Sequence, residues 1–466
     1  MSSSRHVDEA AESAQQLEQH GYKQELRRTM SLSDVVVYGL IYMVPMAPVA
    51  VFGTIDSFAH GMAALVYVVA AVAMVFSAIS YREMALRYPI AGSVYSYVRR
   101  GLNPFVGFLS GWAILLDYLL LPALLSVFAA IAMTTVVPGI AAWVWIILFV
   151  VAAAVINLAG IGVTARMNML FLWIQVIVLA VFVVGAVIKV AQGEATFTLD
   201  PLYRPAGFSW GIVFGAIPLA ALSFIGFDAI STLNEEAEGG GRAVARATMI
   251  VLVAVTVLFV VQVYAAAAFA PADGNFSSSD RELNAFYDIS GDILGSWFKV
   301  VVTLTSALIA IFANSIASQA TSSRLVFSMA RDRLLPRVLS TVVTDRQVPQ
   351  NAMLLIAGLS LVIGLVGSQH STLLITLVTF GALTAYILLH VAVLWHLGIR
   401  GSRRSWFAHV VSPVLGAAVL AYALWSADPH AKVLGLAWMG VGVLLAVFHH
   451  VRGTLDTPQE QPRQLV

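Results

Sequence analysis

Long apolar runs separated by short polar and basic stretches fill the chain from residue 34 onward. A bilayer-crossing helix needs about 20 predominantly apolar residues. Twelve segments meet that requirement: 34–57, 61–85, 105–135, 141–160, 166–190, 210–233, 246–270, 296–323, 350–368, 372–397, 407–426 and 431–449. The expected fold class is an all-α integral membrane protein with twelve transmembrane helices. The third and eighth segments are long, so tilt or helical extension is expected for them. The region 411–450 is uniformly apolar and could be divided differently. The flanks are polar. Residues before Met30 carry Asp8, Glu9, Glu12, Glu18 and Glu25 without an apolar core, so they are no signal peptide. A disordered tail ending in a short amphipathic helix is expected there, and a second polar tail runs from Arg452 to Val466.

The basic residues orient this pattern. One set of loops holds Arg27, Arg28, Arg82, Arg87, Arg99, Arg100, Arg166, Arg242, Arg246, Arg324, Arg331, Arg333, Arg337, Arg346, Arg400, Arg403 and Arg404; the opposite loops hold Lys189, Arg204, Arg281, Lys299 and Lys432. By the positive-inside rule both termini should be cytoplasmic, in a multi-pass protein of the plasma or inner membrane. The longest outer segment, 271–299, carries Asp273, Asp280, Glu282, Asp288 and Asp292. It reads either as an acidic vestibule that attracts cations or as a solvated loop.

Composition sharpens the class. The chain is 59% apolar and 11% charged, against about 25% charged in soluble domains. The net charge of +1 argues against nucleic acid as a partner. Without cysteine there is no disulfide, thiol nucleophile or thiolate metal site. No clustered nucleophile and base and no His-Glu-x-x-His run points to an enzyme. Gly239-Gly240-Gly241-Arg242 lacks the strand and the Gly-Lys-Ser/Thr ending of a phosphate loop. Trp143, Trp145, Trp210, Trp406 and Trp425 lie near segment ends, as interfacial anchors do. His449 and His450 adjoin the tail without further metal ligands.

Two segments are interrupted. In Tyr42-Met43-Val44-Pro45-Met46-Ala47-Pro48, two prolines remove amide donors and clash with preceding carbonyls. Helix one should part there, or at least kink; freed carbonyls are tolerated only when buried or facing a cavity. Helix six carries Gly211, Gly215 and Pro218, then Ser223-Phe224-Ile225-Gly226-Phe227-Asp228. Glycine beside an acid at membrane depth predicts a second break, with Asp228 facing the interior. The breaks lie five helices apart, a spacing that fits an inverted repeat, and interrupted helices are where transporters place substrate. Helix three adds Asp117-Tyr118 about halfway across an apolar segment. No lysine or arginine is at that depth, so Asp117 is either protonated or awaiting a cation, with Tyr118, Tyr42 and Phe224 as candidate aromatic faces for an ammonium. His390, inside helix ten, reads as a packing histidine or a proton relay.

Three stretches resemble the amino acid–polyamine–organocation permeases over nearly the whole chain. Tyr81-Arg82-Glu83-Met84-Ala85-Leu86-Arg87-Tyr88-Pro89-Ile90-Ala91-Gly92-Ser93-Val94-Tyr95-Ser96-Tyr97 is similar to the family's helix-two exit. Gly226-Phe227-Asp228 followed by Glu235-Glu236 looks like its helix-six signature. Ser323-Arg324, Met329-Ala330-Arg331-Asp332 and Pro336 match the end of helix eight. The resemblance implies a LeuT-like five-plus-five inverted repeat: tail 1–30, first repeat 31–190 (helices one to five), second repeat 191–400 (helices six to ten), peripheral helices eleven and twelve in 401–450, and tail 451–466. It also implies alternating access, with substrate between broken helices one and six. Asp332 would belong to the cytoplasmic helix-eight loop, in a gating or structural role.

The chain also departs from that family. Amino-acid permeases of this kind carry a small glycine-serine run at the helix-one break, whose amides hold a substrate carboxylate. Here Met43-Val44-Pro45 stands in its place, and Pro45 offers no amide. This resembles the putrescine-importer branch and favours a cationic amine without a carboxylate. The alternative is an amino-acid permease or an amino acid/amine exchanger. The helix-five lysine of several proton-coupled relatives falls on Gln175, which cannot titrate. Proton coupling would then use Asp117, Asp228, Glu83 or His390; sodium coupling would use Asn314 and Ser315 with helix-one carbonyls. No cofactor is expected beyond H+ or Na+ as coupling ion. The expected partners are a small amine or amino acid and membrane lipid, and monomer and homodimer both stay open. A channel and a transporter-like sensor are the remaining rivals.

Overall fold

The computed structural model describes residues 30–88, 93–159, 165–235, 237–331, 335–341, 349–401 and 405–453. The tails 1–29 and 454–466, the stretch 89–92, and Glu236, Asp332, Arg333, Arg346, Arg403 and Arg404 lie outside the described residues.

Helix one starts at a capping box. The Ser31 hydroxyl accepts from the Asp34 amide while the Asp34 carboxylate accepts from the Ser31 amide. Its first half, α1 (Leu32–Met43), ends just before Pro45; a 3-10 turn covers Ala47–Ala50, and α2 (Phe52–Phe58) resumes the direction. Then come α3 (Ala63–Arg87), α4 (Ser93–Gly101), α5 (Pro104–Val136), α6 (Ala142–Leu158) and α7 (Ala165–Ala191). The Asn103 side chain accepts from the Val106 amide and Pro104 opens α5, a strong start signal. Helix six is α8 (Trp210–Phe224) followed by a 3-10 segment, Phe227–Glu235, and leads to α9 (Gly240–Ala267). After α10 (Ser279–Leu283) and α11 (Ala285–Leu294), α12 (Ser296–Leu304) passes through a π-helical stretch, Thr305–Phe312, into α13 (Ala313–Arg331). Next, α14 (Gln350–Gly367) turns at Ser368–His370 into α15 (Ser371–Val393), and the chain ends in α16 (Ser412–Ser426) and α17 (Pro429–Val451). Among the described residues the one β-type contact is an isolated bridge between Met30 and Ala237.

Each expected apolar segment therefore falls on a helix or a broken helix. Nine helical stretches among the described residues are long and apolar enough to cross a membrane. The stretch Gln350–Ile399 counts once among them although a 3-10 turn, Ser368–His370, divides it, and Ala142–Leu158 and Trp210–Phe224 are apolar but shorter.

The tightest packing joins α3 to α9 and α5 to α15. The buried flank of α3 is rich in alanine (Ala63, Ala64, Ala70, Ala73, Ala78), which lets neighbouring backbones approach. In lipid that close approach, rather than expulsion of apolar surface from water, holds helices together. Large apolar side chains instead cover the outside, Leu436, Leu444 and Val451 of α17 among them.

The segment 271–299 is not an open acidic loop. Its α10 packs on α2 and its α11 on α7, burying Phe286, Tyr287, Ile289 and Ile293. Glu282 accepts hydrogen bonds from Thr54 and Ser57, and Asp288 pairs with Lys299 at 2.6 Å. The apolar residues between the acids supply the reason: one face of α11 has a core to join, and the acids project around it.

Candidate functional site at the helix breaks

The prolines and a strained valine shape the first break. Val44 adopts φ 53°, ψ 97°, a region that a β-branched residue enters only when its surroundings force it. Such strain concentrates at functional sites. Within the break the amides of Val44, Ala47, Val49 and Val51 donate to the carbonyls of Ile41, Val44, Met46 and Pro48. The Pro45 carbonyl accepts from Nε2 of Gln262 on α9 at 2.9 Å. Gln262 escaped the sequence reading. Its signal was there, a polar amide alone within the apolar run 246–270.

The second break turns on Gly226, at φ 119°. A Cβ there would lie 2.6 Å from the Tyr42 ring, so the two broken helices meet where a glycine backbone faces an aromatic ring. Tyr42 also stacks on Tyr38, with ring centroids 6.0 Å apart, and its hydroxyl bonds Thr321 of α13. Asp228 is 3% exposed and lies in the first turn of the 3-10 segment. Its Oδ1 accepts from the Gly226 amide at 3.2 Å and from the Tyr386 hydroxyl at 3.3 Å. The amides of Asp228 itself and Ala229 also point to the carboxylate.

Asp117 is equally buried, at 3%, on α5. Gly381 of α15 brings the two helices together at this level: a Cβ there would lie 2.5 Å from the Ala113 carbonyl and 3.0 Å from the Asp117 amide. Oδ1 of Asp117 has no hydrogen-bond partner, and among the described residues no ion pair includes it. The charges of Asp117 and Asp228 act on each other and on the hydroxyls of Tyr42, Tyr118 and Tyr386, so these groups share one electrostatic neighbourhood. Helix three keeps its shape through Pro122. That proline cannot bond the Tyr118 carbonyl four residues back, and the Ser322 hydroxyl takes its place at 2.5 Å.

Other candidates fall elsewhere. The Phe224 ring packs against Tyr67 and Phe259, on α3 and α9, and the Tyr67 hydroxyl bonds Ser223. An aromatic group of Tyr81, Phe227 and Tyr386, with centroids 5.4–5.7 Å apart, adjoins Asp228 through the Tyr386 hydroxyl. Two of these stood in the quoted motifs and Tyr386 lay on helix ten, but only the fold joins them. His390 bonds Ser77 and Ser80 of α3 through its two ring nitrogens, at 3.2 and 2.8 Å. Glu83 meets His409 at 3.0 Å and Arg82 at 3.9 Å. The Ser315 hydroxyl contacts Ser126 and the Pro122 carbonyl of α5, not a helix-one carbonyl, and Asn314 is half-buried beside it. Gln175 is buried on α7, which packs on α1, with Oε1 unpartnered. Met43, Val44 and Pro45 are buried at the break itself.

Comparisons with known proteins agree with this architecture. The family described as amino acid permease matches residues 30–448. The chain is similar to the low-affinity putrescine importer PlaP of Escherichia coli K12, at 30% identity over 90% of this chain and 93% of that protein. It is also similar to two Bacillus subtilis proteins: the branched-chain amino acid permease BcaP, 25% identical over 80% of this chain and 81% of that protein, and the methylthioribose transporter, 24% identical over 90% and 93%. These are transporters rather than enzymes, and the range matched by the family spans both helix breaks and all three motif stretches. With its membrane-spanning all-α fold, the chain belongs to the amino acid permease family of the amino acid–polyamine–organocation superfamily.

Proposed function

We propose that this permease imports a small cationic amine without a carboxylate, such as putrescine, by alternating access across the cytoplasmic membrane. The observation that carries the proposal is Asp117, a buried carboxylate with an unpartnered oxygen and no basic partner among the described residues. An ammonium supplies the missing charge and the missing donors together, and Tyr42 and Tyr118 flank its path. The helix-one break supports the same choice, because the amides of Val44, Ala47, Val49 and Val51 already bond carbonyls within the break and Pro45 has none, which leaves no run of free amides to cradle a carboxylate. The putrescine importer among the relatives agrees. The branched-chain permease and the methylthioribose transporter mean that relationship alone does not select the substrate.

In this reading residues 31–190 and 191–400 form the two inverted repeats, with 401–450 peripheral, and both termini face the cytoplasm. Single cysteines at the exposed Ser278 and Ser405 test the orientation in this cysteine-free chain: an impermeant reagent should label the first and not the second in intact cells. Coupling, by proton or sodium, is read from uptake into proteoliposomes with each gradient applied in turn. The substrate is tested by equilibrium binding of labelled putrescine to purified protein, with unlabelled putrescine and ornithine as competitors. Ornithine is putrescine with an added carboxylate. Putrescine should compete better; ornithine competing a hundred-fold better would replace the amine by an amino acid as substrate.

A further inference from the structure

The ends of α3 and α15 meet on the side that the orientation above makes cytoplasmic. The hydroxyl of Tyr88, just after α3, and Nε2 of His396 are hydrogen-bonded at 2.8 Å. His396 belongs to a π-helical stretch, Leu394–Ile399, that continues α15. A π-helix repeats its hydrogen bonds at five residues rather than four, and the Arg400 amide bonds the Trp395 carbonyl accordingly, at 3.1 Å. That spacing sets Arg400 over its own helix: the guanidinium carbon lies 4.7 Å from the centre of the Trp395 ring. Arg87 closes α3, and Arg100, near the end of α4, lies 5.6 Å from the centre of the Tyr88 ring. The charges of Arg87 and Arg400 both act on the His396 ring. Arginines at the ends of three helices therefore converge on the His396–Tyr88 pair.

The positive-inside rule asks for arginine on this side of the membrane. It does not ask the arginines to converge on one ring, where like charges repel unless an anion answers them. Among the described residues neither Arg87 nor Arg400 is in an ion pair, and Glu83, one turn before Arg87, is already engaged by His409 and Arg82. The depth of the cluster says where the anion comes from. Trp395 and Ile399 are exposed at the end of a membrane-spanning helix, so lipid is their neighbour, and a tryptophan at such an end sits at headgroup level. We propose that Arg87 and Arg400, with Arg100 beside them, hold the phosphate of an anionic phospholipid whose acyl chain lies along Trp395 and Ile399. Basic pockets between helix ends recognise such headgroups, and a guanidinium meets a phosphate with paired N–H donors. A free phosphate shares the charge but has nothing to lay on the two apolar side chains. A phosphate held by both helix ends ties α3 to α15, which carry the touching rings of Tyr81 and Tyr386. The lipid site is independent of which substrate the permease carries.

The test adds phosphatidylglycerol or phosphatidylcholine, with the same acyl chains, to purified protein freed of lipid in a neutral detergent. Native mass spectrometry reads the affinity and a thermal melt reads the stabilisation. Phosphatidylglycerol should bind more tightly and raise the melting temperature more. One arginine near an anionic headgroup is worth about fivefold in affinity. Arg87→Gln and Arg400→Gln should therefore each weaken phosphatidylglycerol binding about fivefold, and the double variant about thirtyfold. Arg337→Gln removes an exposed arginine elsewhere on the same side and should leave the affinity unchanged. Equal binding of the two lipids overturns the site, and so does an equal loss in Arg337→Gln, which would mean diffuse surface charge. Inorganic phosphate or glycerol 3-phosphate stabilising wild type as well as phosphatidylglycerol does would replace the lipid by a soluble anion and overturn the proposal. Should the arginine variants not purify, phosphatidylglycerol with a photoreactive group on its headgroup decides the matter on wild type. Cross-links to peptides covering 86–88 or 395–400 support the site; cross-links confined to other peptides overturn it.

Discussion

Asp117 and Asp228 are the same residue type, equally buried, and within reach of each other's charge. Their surroundings differ in kind. Asp228 lies at a chain break, where amides released from helical bonding turn to it, and Tyr386 adds a hydroxyl. Asp117 lies in the middle of a continuous helix, where the surrounding amides bond carbonyls within the helix, and its Oδ1 is left with nothing. The difference teaches that the depth of a carboxylate in the bilayer says little about its role. The supply of local donors decides: a satisfied carboxylate holds structure and shape, and an unsatisfied one waits for a ligand.

The sharpest way to break the comparison is to neutralise each carboxylate without changing its size. Asp117→Asn removes the charge that the ammonium needs. Breaking a buried ion pair by removing one partner costs about 3–5 kcal/mol, so amine affinity should fall several hundred-fold or more. Melting temperature should change little, since no partner in the protein loses a bond. Asp228→Asn should show the reverse pattern, with a lower melting temperature and a smaller loss of affinity. Equilibrium binding and thermal melts on both variants decide it; near-normal affinity in Asp117→Asn would remove that residue from the substrate site.

The backbone at the second break gives the next effect. Gly226→Ala places a methyl 2.6 Å from the Tyr42 ring at a φ of 119° that L residues rarely adopt. Strain of this kind costs about 1–3 kcal/mol before the clash is counted. The variant should melt lower and bind amine more weakly, because Tyr42 must move. Gln262→Leu acts at the first break. It leaves the Pro45 carbonyl without its donor at membrane depth, which costs about 1–3 kcal/mol. Restoring a donor with Gln262→Asn should recover only part of this, since the shorter side chain falls short of the carbonyl. Equal melting temperatures for wild type and Gln262→Leu would show that the break does not depend on helix seven.

Much of this arrangement was legible in the chain. Prolines three apart in helix one, and glycine followed by an acid in helix six, act locally on backbone hydrogen bonding, so both breaks could be read before any packing was known. Most element ends followed from hydropathy to within a few residues, but α9 begins at Gly240 rather than 246 and α13 runs on to Arg331 rather than 323. What could not be read was which side chains meet. Phe224 and Phe227 are three residues apart on either side of the break, and sequence gave no ground for choosing the second. Gly226, at positive φ, interrupts the helix between them, and Phe224 meets Tyr67 and Phe259 while Phe227 meets Tyr81 and Tyr386. Gln262 was hidden by the opposite problem: its partner is a main-chain carbonyl, which leaves no mark in the composition of the segment it joins. In 271–299, read as a vestibule or a solvated loop, the run of charges hid the apolar positions Phe286, Tyr287, Ile289 and Ile293 that turn α11 inward.

A third carboxylate, outside the bilayer, extends the comparison at the smallest scale. Glu282 on α10 is half-buried against α2, where the Thr54 and Ser57 hydroxyls donate to it. Burial penalises its charged form more than those two hydrogen bonds favour it, so its pKa lies above the ordinary value of 4.5. The folded state therefore holds the proton more tightly than the unfolded chain does. Its contribution to stability is fully present below 4.5 and is lost as pH rises through the higher folded value. Wild type should thus lose stability relative to Glu282→Gln across the window that opens at 4.5, and the two curves should run parallel above it. The effect should stay within about 1 kcal/mol, because half of the side chain is in water, where such interactions are weak. Paired melts in detergent across that range measure it. A wild type that gains stability over the same window would mean that the Thr54 and Ser57 hydrogen bonds outweigh burial, and Glu282 would then join Asp228 as a carboxylate satisfied by its own protein.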